Sequence, residues 1–257
     1  MKTLLTGGLV ATAVAFAAPA FGADLITKAP PAPALAAPSW TGFYLGVEAG
    51  GAFAHIETVR TGTVNSPSFP AGGGSSGDGA GAIAGGYIGY NWQFAPNWLV
   101  GIEGTFDWSG IRIDTSEAST VNPGVVSSAR DRFQWLATAG ARLGYVTSAN
   151  WLLYLKGGAA WTHLDTDSTT VNGAGAVLST LSGSDTLLGW TVGVGAEMRI
   201  LGKWTVRGEY NYIDFGTQSL DRTVTFGAGA LPTGTVVTRD VSPQIHVFKL
   251  GLSYYFN

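Results

Sequence analysis

No cysteine occurs among the 257 residues, which removes disulfides, thiolate metal ligands and a cysteine nucleophile together. Charge is scarce as well. Asp, Glu, Lys and Arg make up 12% of the chain, against about a quarter in ordinary soluble proteins. The formal net charge of −3 argues against nucleic acid as a partner, because neutralising phosphates needs a basic surface. Beyond the N-terminal region no apolar run approaches the ~18 residues that mark a membrane-spanning helix. Glycine (38 residues) and aromatics (12%) are abundant instead. Low charge without an apolar helix suits a barrel whose outside faces lipid; a glycine-rich soluble β-protein shares that composition.

The N-terminus points to export. Lys2 precedes an apolar run from Leu4 to Ala18, about 15 residues and too short to span a bilayer, and the small residues Ala20 and Gly22 follow at cleavage-site spacing. We expect a signal peptide over 1–22, leaving Ala23-Asp24 as the mature start. Clustered prolines then make 23–39 an extended periplasmic tether, and the barrel is expected over 40–257.

From Trp40 the chain divides into eight segments with two-residue alternation: Thr41–His55, Gly81–Gln93, Trp98–Ile111, Asp131–Val146, Trp151–Leu164, Leu187–Ile200, Lys203–Phe215 and Gln244–Phe256. Short links (Phe94–Asn97, Thr147–Asn150, Leu201-Gly202) alternate strictly with long ones rich in Gly, Ser, Thr and Asp (Ile56–Ala80, Arg112–Arg130, Asp165–Thr186, Gly216–Pro243). This predicts an all-β fold: an eight-stranded antiparallel transmembrane β-barrel with short periplasmic turns and four long extracellular loops. The Gly72–Gly81 run lacks the lysine and hydroxyl of a phosphate loop and is expected to be a flexible outer loop.

Two aromatic bands fit the membrane interfaces. Trp40, Phe43, Trp92, Phe94, Trp98, Tyr145, Trp151, Trp204, Tyr254 and Phe256 fall at the short-turn end; Phe53, Trp108, Phe133, Trp135, Trp161, Trp190 and Tyr212 fall toward the long-loop end. Parity sends Leu45, Val47, Ile88, Val100, Ile102, Leu153, Leu155, Val192, Val194, Val206 and Leu250 to lipid. The opposite parity collects Glu48, Glu103, Asp107, Arg132, Arg142, Lys156, Glu197, Arg199, Arg207, Glu209 and Lys249, interspersed with glycines. Eight strands leave an interior only wide enough for side chains, so these charges are expected to pair into a plug. A narrow charge-lined conduit, hence a small-conductance porin, is the alternative use of the same residues.

The opening Trp40-Thr41-Gly42-Phe43-Tyr44-Leu45-Gly46, the Gly86–Trp92 run, the Lys-Ala-Pro-Pro-Ala-Pro tether and the aromatic C-terminus resemble the small outer-membrane β-barrel family of rhizobia and Brucella, within the opacity-type, porin-like superfamily. The resemblance covers the whole chain and specifies architecture more than activity. It implies an abundant cell outer-membrane protein, with lipid and lipopolysaccharide around it, that links envelope integrity to contact with host or environment through its loops. Some relatives are implicated in haem binding. Leu252, Tyr254 and Phe256 would form the C-terminal signal read by the barrel-assembly machinery, and Asn257 departs from the family by following the terminal aromatic.

Little in the sequence carries reaction chemistry. His55, His163 and His246 all fall at the long-loop end, and His55 and His246 lie on strands expected to be neighbours, so surface haem capture by rim imidazoles is a second alternative; no spacing fixes a ligand set, and no cofactor or metal site is expected. His163 and Asp165 share a face as a base and its orienting acid would, with Asp167 and Ser168 nearby. No serine shares their register, so no enzyme is expected.

Overall fold

The computed structural model describes residues 39–61, 72–148, 150–227 and 233–256. The expected signal peptide, nearly all of the tether, and Asn257 lie outside them.

Nine strands follow in chain order: β1 (Gly42–Arg60), β2 (Gly74–Ala95), β3 (Trp98–Ala118), β4 (Val126–Ser148), β5 (Trp151–Val171), β6 (Val177–Leu201), β7 (Trp204–Asp214), β8 (Gln218–Gly227) and β9 (Val236–Tyr255). Every pairing is antiparallel, and the order β1-β2-β3-β4-β5-β6-β7-β9 closes through β9 back onto β1, leaving a ring of eight with no free edge at its base. Strand β8 is the upward continuation of β7. Both pair with β6 and with β9. The interruption has local causes: the Asp214 carboxylate accepts the Gly216 N–H at 2.7 Å, Gly216 takes a left-handed φ of 60°, and the opposing residue is Pro243, whose carbonyl accepts the Phe215 N–H at 3.1 Å.

The ring strands other than β7 run 19 to 25 residues, whereas a tilted strand crosses a bilayer in about 9–11. The surplus all lies on the long-link side. Those links therefore rise as paired hairpins over much of their length, and the Gly-rich stretch expected as a flexible loop is strand from Gly74 onward, paired with β1 from Val59↔Gly74 to Ala52↔Gly81.

The alternation reverses meaning along each strand. In the lower half Leu45, Val47, Ile102, Leu155 and Leu250 are exposed, while Glu48, Glu103 and Lys249 are buried inside. Higher up the apolar side chains turn inward: Ile56, Ile111, Ile113, Phe133, Leu164, Leu220, Val241 and Ile245 form one buried cluster, and Glu57, Asp114 and Asp167 point out. The lower half obeys the rule for a barrel in lipid, the upper half the rule for a sheet in water. The height of the inversion places the outer membrane boundary.

Irregularities in β3–β4 (Trp108/Ile111) and β4–β5 (Phe133/Leu136) shift parity there. Phe133, expected in the upper aromatic band, is consequently buried inside, and Trp40, expected in the lower band, is fully buried as well. Other members of both bands, among them Phe43, Trp92, Trp98, Trp151 and Trp204 below and Phe53, Trp108 and Trp190 above, are exposed.

Candidate functional site

The interior is filled in successive layers. At the periplasmic end Trp40, Tyr44, Tyr87, Tyr154 and Tyr255 pack with Leu99, Val146 and Leu152. Tyr44 stacks on Tyr255 at 5.1 Å and Trp40 meets Tyr255 edge-on at 5.7 Å. The rings fit because glycines face them: a Cβ on Gly46 would lie 2.2 Å from the Tyr87 ring, one on Gly89 2.1 Å from the Tyr44 hydroxyl, and one on Gly195 2.3 Å from the Tyr154 ring. Arg199 closes this end, its guanidinium 4.5 Å from the Trp40 ring and donating to the Ser39 carbonyl at 2.5 Å.

Above lies the charge layer. Arg207 donates to Glu48 and to Glu103, each at 2.6 Å, and covers the Tyr87 ring at 3.3 Å. Lys249 reaches Glu48 at 2.6 Å and Asp107 at 3.1 Å; Lys156 reaches Glu209 at 2.6 Å and Glu103 at 3.1 Å. Arg142 lies 3.4 Å from Glu103 and 3.5 Å from Glu197, and donates to the Asn91 side-chain oxygen at 2.8 Å and to the Tyr255 hydroxyl at 3.1 Å. Tyr44 donates to Glu103 (2.9 Å), Tyr154 to Glu209 (2.7 Å) and Thr205 to Glu197 (2.6 Å). Each cation bridges at least two acids contributed by different strands, so the layer ties opposite walls together. A void beside Glu103 and Lys156 measures about 10 Å³, at the lower limit for one water.

Next comes the apolar cluster already described, and above it a second polar layer. There Arg60 holds Glu117 through two hydrogen bonds, at 2.5 and 2.8 Å. Arg222 pairs with Asp185 and donates to Thr166 at 3.1 Å, and Thr166 donates to Asp131 at 2.5 Å. Arg239, partly exposed, shares the inward parity of Val237 and Val241 beside them. None of these residues was singled out by sequence. The parity that sends Arg132 inward puts its neighbour Asp131 outward, and the others lie in the long links, whose composition reads as loop.

Of the residues expected inside, Glu48, Glu103, Asp107, Arg142, Lys156, Glu197, Arg207, Glu209 and Lys249 meet in the charge layer. Arg132 does not. It is exposed on the outer face, bonded to Asp167 at 2.5 Å, because the β4–β5 irregularity changes parity between it and Leu136. Arg199 has inward parity but serves the periplasmic mouth, so the charge layer holds five carboxylates against four cations. Leu252, Tyr254 and Phe256 point outward at the base of β9, where Tyr254 packs between Trp204 and Phe256 at 5.2 Å each.

Each histidine engages neighbours of its own. Phe53, not His55, is opposite His246, and the two imidazoles engage different neighbours: His55 bonds Asp78 at 2.7 Å, His246 bonds the Tyr210 hydroxyl at 2.8 Å. His163 stacks on Trp135, bonds Thr186 at 3.2 Å and lies 3.5 Å from Asp165. Asp167 points outward to Arg132, and Ser168 turns inward, bonded to Ser127 at 3.3 Å, so no hydroxyl joins the His163–Asp165 pair from that segment. Among the described residues no group of three or more His, Cys, Asp or Glu is arranged to hold a metal.

A closed antiparallel ring with a lipid-facing apolar belt, aromatic bands and a charged interior defines an outer-membrane β-barrel. The chain belongs to the outer membrane protein beta-barrel domain family, whose model matches residues 25–256. It is 33% identical over 224 residues to a 31 kDa outer-membrane immunogenic protein of Brucella melitensis, covering 86% of this chain and 90% of the relative. It is 28% identical over 262 residues to a 25 kDa outer-membrane immunogenic protein of the same organism, covering both chains completely. Among solved structures the Escherichia coli outer membrane protease OmpT shares the fold at a TM-score of 0.54 and 11% identity, over 84% of this chain and 97% of that one. The protein is thus a component of the cell outer membrane.

Proposed function

We propose that the protein is a non-conducting, non-enzymatic barrel that reinforces the outer membrane and displays four tall hairpins for contact with a host or the surroundings. What supports this reading is the layered interior: among the described residues aromatic, charged and apolar side chains follow one another up the barrel. The members of such a plug depend on one another, since removing one leaves its partners buried without a counter-charge. The hairpin surface is where variation is tolerated and partners bind.

The test compares cells displaying the barrel with cells displaying a form whose four hairpin tips are shortened to tight turns. Adhesion to host cells should fall while resistance to detergent is retained. Unchanged adhesion, or loss of detergent resistance with the tips alone, contradicts the division of labour.

A further inference from the structure

Among the described residues the inward-facing cations are partnered with one exception. Arg142, Lys156, Arg207 and Lys249 each hold carboxylates, Arg199 donates to a carbonyl, and Arg60 and Arg222 have Glu117 and Asp185. The Arg239 side chain makes no hydrogen bond or ion pair with any described residue, and its Nε is shut off from solvent with no acceptor. Its surroundings sharpen the anomaly. Arg60 is directly opposite it on β1, and Arg222 lies on β8 two residues beyond Leu220, the residue opposite Arg239 there. Like charges in register across a strand pair are destabilising, and Arg239 is only partly exposed, so water screens it incompletely. The acids near it are engaged: Glu117 by Arg60, Asp185 by Arg222, and Asp131 by the Thr166 hydroxyl.

We propose that Arg239, flanked by Arg60 and Arg222, is the anchor of an oxyanion-binding site in the extracellular mouth, taking a single phosphate or carboxylate group from outside the cell. Guanidinium groups suit that ligand because their planar donors match two oxygens at once. The place suits it too. The apolar cluster of Ile113, Phe133, Leu164, Leu220 and Val241 forms a floor beneath, so an anion drawn to the mouth stops there and does not pass. Thr166, Ser168 and Thr170 on β5 add inward hydroxyls. Burial, reinforced by Arg60, pushes the Arg239 guanidinium down, as expected for a cation awaiting a counter-charge. This site extends beyond display by the hairpins and holds or fails independently of any host contact.

The experiment is calorimetric titration of the refolded barrel in neutral detergent, at constant ionic strength in chloride, with inorganic phosphate in one arm and acetate in the other. One-to-one saturable binding is expected in at least one arm, and the arms distinguish phosphate from carboxylate. Arg239→Gln should weaken it at least tenfold, Arg239→Lys less, and Arg112→Gln, on the outer face, by under twofold. A heat-dependent gel shift verifies folding of each variant. Absence of saturable binding in both arms overturns the site, as does binding by Arg239→Gln within twofold of the parent.

Discussion

Arg207 on β7 and Glu103 on β3 meet at 2.6 Å across the barrel, and the same guanidinium holds Glu48 of β1 at 2.6 Å. One side chain thereby joins three walls of the ring at a level where the outer surface is lipid. Removing it leaves two buried carboxylates short of a counter-charge.

Arg207→Ala should therefore destabilise the folded barrel by about 3–5 kcal/mol, the range for breaking a buried ion pair. Arg132→Ala, which breaks an exposed pair with Asp167, should cost at most about 1 kcal/mol. Urea unfolding in lipid vesicles, followed by tryptophan fluorescence, measures both. Equal effects would place Arg207 outside any supporting role.

Gly46 and Tyr87 lie opposite each other, with the phenol where a Cβ would project. Gly46→Ala should displace the ring and cost about 1–3 kcal/mol, as overpacking does. Gly51→Ala, whose added methyl meets nothing within 4 Å, should be near neutral. The same unfolding assay separates them.

Phe133 tests the inversion of the alternation. If the upper half folds like a water-exposed sheet around an apolar core, Phe133→Ala should cost about 3–5 kcal/mol. It should also speed hydrogen exchange in the upper parts of β4 and β5 first. A side chain facing solvent or lipid would show neither effect.

Asp131 supplies a pH dependence. Burial raises its carboxyl above the ordinary value, outweighing the Thr166 hydrogen bond and the attraction of Arg222 and Arg239. The folded state thus holds this proton more tightly than the unfolded chain. Its contribution favours folding as pH falls through the raised value and is lost as pH rises through it. Asp131→Asn should remove that component, so the difference in unfolding midpoint between parent and variant should change with pH in the mildly acidic range. A constant difference from pH 4 to 7 would contradict the assignment.

Much of this was legible because a period of two is a direct record of which face each residue takes. The eight-segment division, the alternation of short and long links, and the inward parity of Glu48, Glu103, Lys156 and Lys249 follow from it. Four features were hidden, for separate physical reasons. Arg132 was assigned inward because an irregularity between Phe133 and Leu136 leaves no mark in composition. Gly74–Gly81 reads as loop because glycines carry no alternation. Yet Gly77 and Gly79 are needed where the Thr115 and Ile113 side chains and the Arg112 carbonyl approach their backbone. Trp40 precedes the first strand, so no pattern told that it turns inside. The upper polar layer escaped because low hydrophobicity was equated with loop, although there the same alternation continues with its faces exchanged.

A barrel with a plugged interior should carry no ionic current. Planar-bilayer recording from the purified, refolded protein tests it most directly. The layered interior predicts no stepwise ionic conductance above the bare-bilayer baseline over a wide voltage range. Reproducible, protein-dependent open-channel steps would contradict it and would make the charge layer the lining of a pore.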